Sequence, residues 1–352
     1  MKLFILLCLI FTTGLLGYAQ HYEQTADTHD ISPLFIDEKD LKVTLNYSKK
    51  DILTFSNDST YLESSLTYTA SDNSQKKLKV GLRARGNYRR LYCYYLPLWF
   101  KIDKNEAKGS IFEEDKKLKV VLPCLKSSKA NDHVVKEFLA YKIYEIMSPY
   151  HFDTKLIYMS LAEERDGKIK DHDLLAILIQ DTKKLAAAYD GKIIKRHMDP
   201  NGQDPASAVR NALFQYMIGN TDYSITYRHN EKLFYIDDKI VPIPYDFDMS
   251  GLVNASYAVV SAIKNKPLPI SKVTTRLYRG FDRDEAIIQE IRKEYIDKEN
   301  EVYRIVDGYQ TYFKDPREFK ELRNYLDGFY KIMKDDKKFQ NSIIKKTRSK
   351  PD

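Results

Sequence analysis

Residues 219–251 contain Gly219-Asn-Thr-Asp-Tyr-Ser224, then His229-Asn230, a short apolar run, and Pro242-Ile-Pro-Tyr-Asp-Phe-Asp-Met-Ser-Gly251. How this stretch is read decides the fold. The residues before it carry Val209, Leu213, Tyr216 and Met217 at helical spacing, which predicts a helix over 206–218. Gly219-Asn220 stops that helix, because both residues tolerate a left-handed backbone. Asp222 then falls in a tight loop just past a helix end. Leu233–Ile236 and Ile240–Ile243 read as two strands joined by a turn at Asp237-Asp238-Lys239. Asp246 and Asp248 follow the second strand. On an extended backbone they share a face, with Cα atoms roughly 6.5 Å apart. Two carboxylates so placed repel unless a proton, a base or a cation lies between them, and a hard cation such as Mg2+ suits oxygen ligands.

Upstream the pattern is that of β structure. Residues 41–47, 78–82 and 118–122 alternate apolar with polar side chains, and residues 96–102 form a further strand around Trp99 and Phe100. These predict an antiparallel sheet. Within it lies Arg83-Ala-Arg-Gly-Asn-Tyr-Arg-Arg90. Arg83 and Arg85 share one face of a strand and precede a glycine turn, an arrangement able to grip phosphate or carboxylate. A helix follows over 132–147, with an apolar stripe of Val134, Val135, Phe138, Leu139, Ile143 and Ile146. Two more strands, 154–161 and 174–180, end at Ile179-Gln180-Asp181. Residues 190–204 are rich in Gly, Asp and Pro, and two long helical stretches run from 282 to about 344.

The run Gly219-Asn220-Thr221-Asp222, then Asn230, then Tyr245-Asp246-Phe247-Asp248, resembles the catalytic segment of the HipA and CotH-type atypical kinases. Arg83-Ala-Arg-Gly86 is similar to an early Arg-x-Arg-Gly of CotH-like chains. Ser224 stands where the HipA-type loop has a histidine, and Asn230 falls eight residues after Asp222 where these kinases have about five. The resemblance implies an α+β, two-lobed protein-kinase-like fold, with a β-rich N-terminal lobe over 35–189 and an α-rich C-terminal lobe over 190–352. It also implies phosphoryl transfer from ATP with Mg2+ to a protein or sugar hydroxyl. Asp222 would be the catalytic acid that orients or deprotonates the acceptor. Asn230, Asp246 and Asp248 would hold the metal. Lys119 paired with Glu137, together with Arg83 and Arg85, would hold the phosphates, and Gln180 would face the nucleotide base. Two alternatives stand beside this reading: a non-catalytic binding module of the periplasm or cell surface, and a glycan hydrolase using paired carboxylates.

The start of the chain indicates export. Lys2 precedes an apolar run from Leu3, and Gly17 and Ala19 place a signal-peptide cut after residue 19. Residues 20–34 then form an N-terminal arm, and the mature protein is secreted or periplasmic with no stable membrane span. Cys93 and Cys124 are the cysteines left after that cut, and an oxidising compartment makes one disulfide the natural pairing. A net charge of +7, spread along 352 residues, does not indicate a nucleic-acid partner. Walker-type, Gly-x-Ser-x-Gly, His-Glu-x-x-His and Cys-x-x-Cys motifs are all absent from the sequence.

Overall fold

A computed structural model describes residues 31–36, 40–165, 167–263 and 266–349. The expected signal peptide lies outside these residues, as does most of the N-terminal arm.

In chain order the strands are β1 (Leu41–Tyr47), β2 (Leu62–Thr69), β3 (Gln75–Ala84), β4 (Leu98–Ile102), β5 (Lys117–Val121), β6 (Thr154–Arg165), β7 (Lys168–Gln180), β8 (Lys192–Ile194), β9 (Glu231–Ile236) and β10 (Lys239–Pro244). The helices are α1 (Pro33–Ile36), α2 (Lys49–Phe55), α3 (Asn87–Tyr92), α4 (Lys104–Ala107), α5 (Ala130–Met147), α6 (Thr182–Ala188), α7 (Pro205–Ile218), α8 (Glu285–Asp297), α9 (Glu299–Gly308), α10 (Pro316–Met333) and α11 (Asp336–Ser342).

The first seven strands close into a barrel in the order β1-β2-β3-β4-β5-β7-β6. This corrects the two-lobed protein-kinase-like fold expected from the sequence. Six of the seven strands were legible one by one, but β2 and the closure were not. It comes from β1 and β6, which pair in parallel from Leu41 opposite Ile157 to Tyr47 opposite Glu163. Every other neighbouring pair in the barrel is antiparallel. A parallel pairing between segments so far apart leaves no local signature in either one.

Strand alternation gives the barrel two apolar faces. Inward side chains such as Leu45, Val80, Phe100, Leu118, Ala176 and Leu178 fill its interior. Outward side chains of the β5–β7 wall, including Val121, Ile177 and Ile179, join a second core with α5, α7 and the C-terminal helices. Helix α5 therefore packs against the outside of the wall. Almost every side chain along it is buried, polar ones included.

The hairpin and helix stop of the central stretch are as the sequence reads. Helix α7 ends at Gly219, whose φ of 61° is left-handed. A Cβ on Gly219 would fall onto the Tyr325 hydroxyl. Asp237 and Asp238 both have positive φ, 49° and 58°, the backbone of a two-residue hairpin turn. No helix among the described residues is long and apolar enough to cross a membrane.

Candidate functional site

Glu137, Asp246 and Asp248 converge. Each offers a carboxylate oxygen, and these oxygens lie within 4.8 Å of one another. The sequence placed the two aspartates on one face of an extended strand, but β10 ends at Pro244 and Asp246 turns left-handed, with φ 67°. Aspartate is among the few residues that adopt this region readily. The turn is held on both sides. The Asp246 N–H donates to the Tyr141 hydroxyl at 2.9 Å. Phe247 is fully buried, with its ring 4.6 Å from that of Tyr141 and 5.3 Å from that of Phe214. Glu137 and Tyr141 lie four residues apart and so share one face of α5. The helix thus supplies both the third carboxylate and the clamp for the first.

The cation facing this cluster is Arg89. Its guanidinium nitrogens lie 3.9 Å from Glu137, 3.8 Å from Asp246 and 3.5 Å from Asp248. These distances are longer than charge-assisted hydrogen bonds, which run at about 2.7–2.9 Å. Arg89 Nε and Nη1 and Glu137 Oε1 are buried and make no hydrogen bond among the described residues. Burial opposes the charged guanidinium, but Asp248 and Glu137 outweigh it and hold Arg89 well above its ordinary pKa. Burial pushes Glu137 and Asp248 upward, with Arg89 pulling the other way. Arg85 acts on Glu137 and Lys119 on Asp246 at longer range, and a divalent ion would take the place of the protons that burial favours on Glu137 and Asp248. Hard oxygen ligands and an orphaned carboxylate oxygen fit such an ion. Asp246 is the open side, with 26 % of its side chain exposed against 2 % for Glu137 and 7 % for Asp248.

Lys119 does not pair with Glu137. It projects from β5 to the outside of the barrel, where its Nζ lies 4.3 Å from the Phe152 ring centre, 5.1 Å from Tyr245 and 5.9 Å from Trp99. That ammonium is buried and makes no hydrogen bond among the described residues. Burial, then the charges of Arg85 and Lys232, lower it to about 7, with Asp181 and Asp246 opposing. Tyr245 immediately precedes Asp246, so this under-compensated cationic group adjoins the carboxylates.

Asn230 does not join the carboxylates either. Its amide donates to the Asp222 carbonyl at 2.7 Å and to Asp222 Oδ2 at 3.1 Å. The eight-residue spacing is absorbed by a closed loop in which Ser224 and His229 exchange backbone hydrogen bonds of 3.0 and 3.1 Å. The chain thereby returns beside Asp222. Ser261 donates to Asp222 Oδ1 at 3.1 Å, and His229 Nε2 lies 3.3 Å from the same oxygen. This contact raises the His229 pKa, burial lowers it, and the charge of Asp246 adds to the rise.

The remaining expected residues serve elsewhere. The Arg83 guanidinium lies over Tyr61 and Trp99 and donates to the Asp58 carbonyl. Gln180 donates to Asp153 at 2.7 Å in a buried contact. Cys93 and Cys124 form a disulfide. Sequence reasoning missed Arg89 and the roles of His229, Ser261 and Tyr141. Arg89 lay in an arginine run already singled out, but nothing local marks which arginine turns inward.

Comparison with protein-family models, with curated proteins and with solved structures finds no match for this chain.

Proposed function

We propose that this protein is a divalent-cation-dependent phosphotransferase that moves a phosphoryl group from a nucleotide such as ATP to a hydroxyl of a protein or glycan acceptor. One observation carries the reading: three convergent carboxyl groups, Glu137, Asp246 and Asp248, beside a buried Lys119 amine that makes no hydrogen bond among the described residues. Phosphoryl transfer needs a cation held on the phosphate oxygens and positive side chains around them, with little covalent chemistry from the protein. The carboxylates would hold Mg2+, which supplies charge neutralisation on the phosphates. Lys119, with Arg85 and Lys232 close enough to depress it, provides an anion-binding wall. Asp222, held by Asn230 and Ser261 and paired with His229, would accept or relay the acceptor proton. The reading rests on these groups alone and not on the fold that the sequence resemblance implied.

Arg89 favours a second reading. A guanidinium facing all three acids is also what a purely structural charge cluster would contain, in a protein that binds without catalysing. Of the carboxylate pairs a glycan hydrolase could use, Asp248 with Asp222 loses support because Asp248 is almost fully buried against Arg89, which leaves Asp246 with Asp222.

The deciding measurement is calorimetric titration of Mg2+ or Mn2+ into the mature protein, followed by ATP. The phosphotransferase reading expects saturable divalent binding that Asp246→Asn weakens at least about tenfold, since affinity follows ligand charge count. It also expects ATP binding that depends on the cation and on Lys119. No divalent binding at millimolar concentrations would leave the structural charge cluster as the reading.

A further inference from the structure

A cavity lies on the outside of the barrel, bounded by β1, β2, β6, β7 and residues 311–314. Its volume is about 610 Å3, and none of the candidate-site carboxylates lines it. A volume of this size is ordinary for a small-molecule or oligosaccharide site.

The floor is set by strand register. Thr67 stands opposite Thr44, Thr44 opposite Ser160, and Ser160 opposite Asp173. Four neighbouring strands therefore present one unbroken row of oxygen-bearing side chains. Their inward neighbours, such as Leu45, Leu66 and Met159, are buried in the barrel, so alternation turns the row outward. The hydroxyls of Thr44, Thr67 and Ser160 make no hydrogen bond to the described residues. Strand spacing sets them about 4.8 Å apart, comparable to the separation of hydroxyls two carbons apart on a pyranose ring.

The walls are aromatic and lightly charged. Tyr158 and Tyr312 stack with ring centres 5.9 Å apart and planes 27° from parallel, and Tyr158 remains 40 % exposed. An exposed aromatic ring beside a row of unpaired hydroxyls offers both things a sugar needs. The ring packs against its apolar C–H face, and the hydroxyls exchange hydrogen bonds with its edge. Lys42, Lys314 and Asp173 leave a net charge of only one, which does not select for a highly charged ligand.

From this geometry we propose that the cavity is a binding site for a neutral oligosaccharide, laid along the Thr67–Thr44–Ser160–Asp173 row against Tyr158. The inference goes beyond the phosphotransfer reading and does not depend on it, because the two sites share no residue named in either argument.

The test is titration calorimetry of the mature protein with cellohexaose, xylohexaose, laminarihexaose and maltohexaose. At least one is expected to bind saturably. The Thr44→Val, Ser160→Ala double variant keeps strand-compatible side chains and removes two hydroxyls. It is expected to weaken that binding about tenfold, from two lost hydrogen bonds, and Tyr158→Ala is expected to weaken it further. Melting temperatures of the free variants, unchanged from the parent, show that the barrel is intact, and unchanged Mg2+ binding separates this result from the fate of the carboxylate site. The proposal is overturned if none of the four sugars binds, or if the one that binds does so equally well to both variants.

Discussion

Arg89 faces three carboxyl groups and lies within 4 Å of each. Arg89→Met, which keeps the bulk of the side chain, would leave those acids close together and buried. Removing one partner of a buried ion cluster typically costs about 3–5 kcal/mol. The expected outcome is a clear drop in melting temperature without metal, with a larger recovery on adding Mg2+ than the parent shows. Equal stability of parent and variant would mean the cluster is already balanced by protons. Glu231 gives a separate residue-scale test. It is fully buried, accepts hydrogen bonds from Asn211 at 2.7 Å and Gln203 at 3.4 Å, and is pushed by burial to about 8 from an ordinary 4.5. Between those values the folded chain keeps a proton that the unfolded chain has released. The contribution is therefore fully present below the unfolded value and is lost as pH rises through about 8. Glu231→Gln removes this loss, so the melting-temperature difference between variant and parent should grow in the variant's favour from pH 5 to pH 9. Parallel curves would refute the assignment.

At the scale of elements, α7 and α3 set the site's framing. Gly219 ends α7 in a left-handed conformation against Tyr325, and the loop carrying Asp222 starts there. Gly219→Ala combines a backbone penalty of roughly 1–2 kcal/mol with a steric one. It should lower the denaturation midpoint and loosen the Asp222–Asn230 contact, the latter readable as faster amide exchange over 219–230. Helix α3 carries Arg89 and is capped at its C-terminal end by Cys93, whose disulfide to Cys124 closes a sequence separation of 31. Cross-linking a loop of that length stabilises by about 3–4 kcal/mol in the chain-entropy account. The paired Cys93→Ser, Cys124→Ser variant should show a loss of that order in chemical denaturation. A loss under about 1 kcal/mol would show that the reduced chain already holds α3 in place.

For the whole molecule, the wall formed by β5, β6 and β7 serves two cores. Its inward side chains pack inside the barrel, while Val121, Leu156, Ile177 and Ile179 pack outward with α5, α7 and the C-terminal helices. Neither core closes without that wall. The protein should therefore unfold in one cooperative calorimetric transition. A fragment ending at residue 189 should expose that apolar face and aggregate. Two resolved transitions, or a soluble and folded fragment, would show that the barrel is autonomous.

Local patterns in the sequence carried most of the elements. Period-two alternation marked β1 and β3, helical spacing marked α5 and α7, and Gly219 and Asp237-Asp238 marked a helix stop and a turn, because each signal depends on near neighbours only. The Asp246 and Asp248 pair was singled out by its spacing, although a left-handed turn at Asp246 and not an extended strand brings it together. Three features were not legible. Barrel closure depends on β1 meeting β6, the third carboxylate arrives from a helix about a hundred residues upstream, and the cation facing it is one arginine chosen from a run of four. Each of these is a contact between distant segments, made by packing two cores against one sheet, and no stretch of chain contains the information alone.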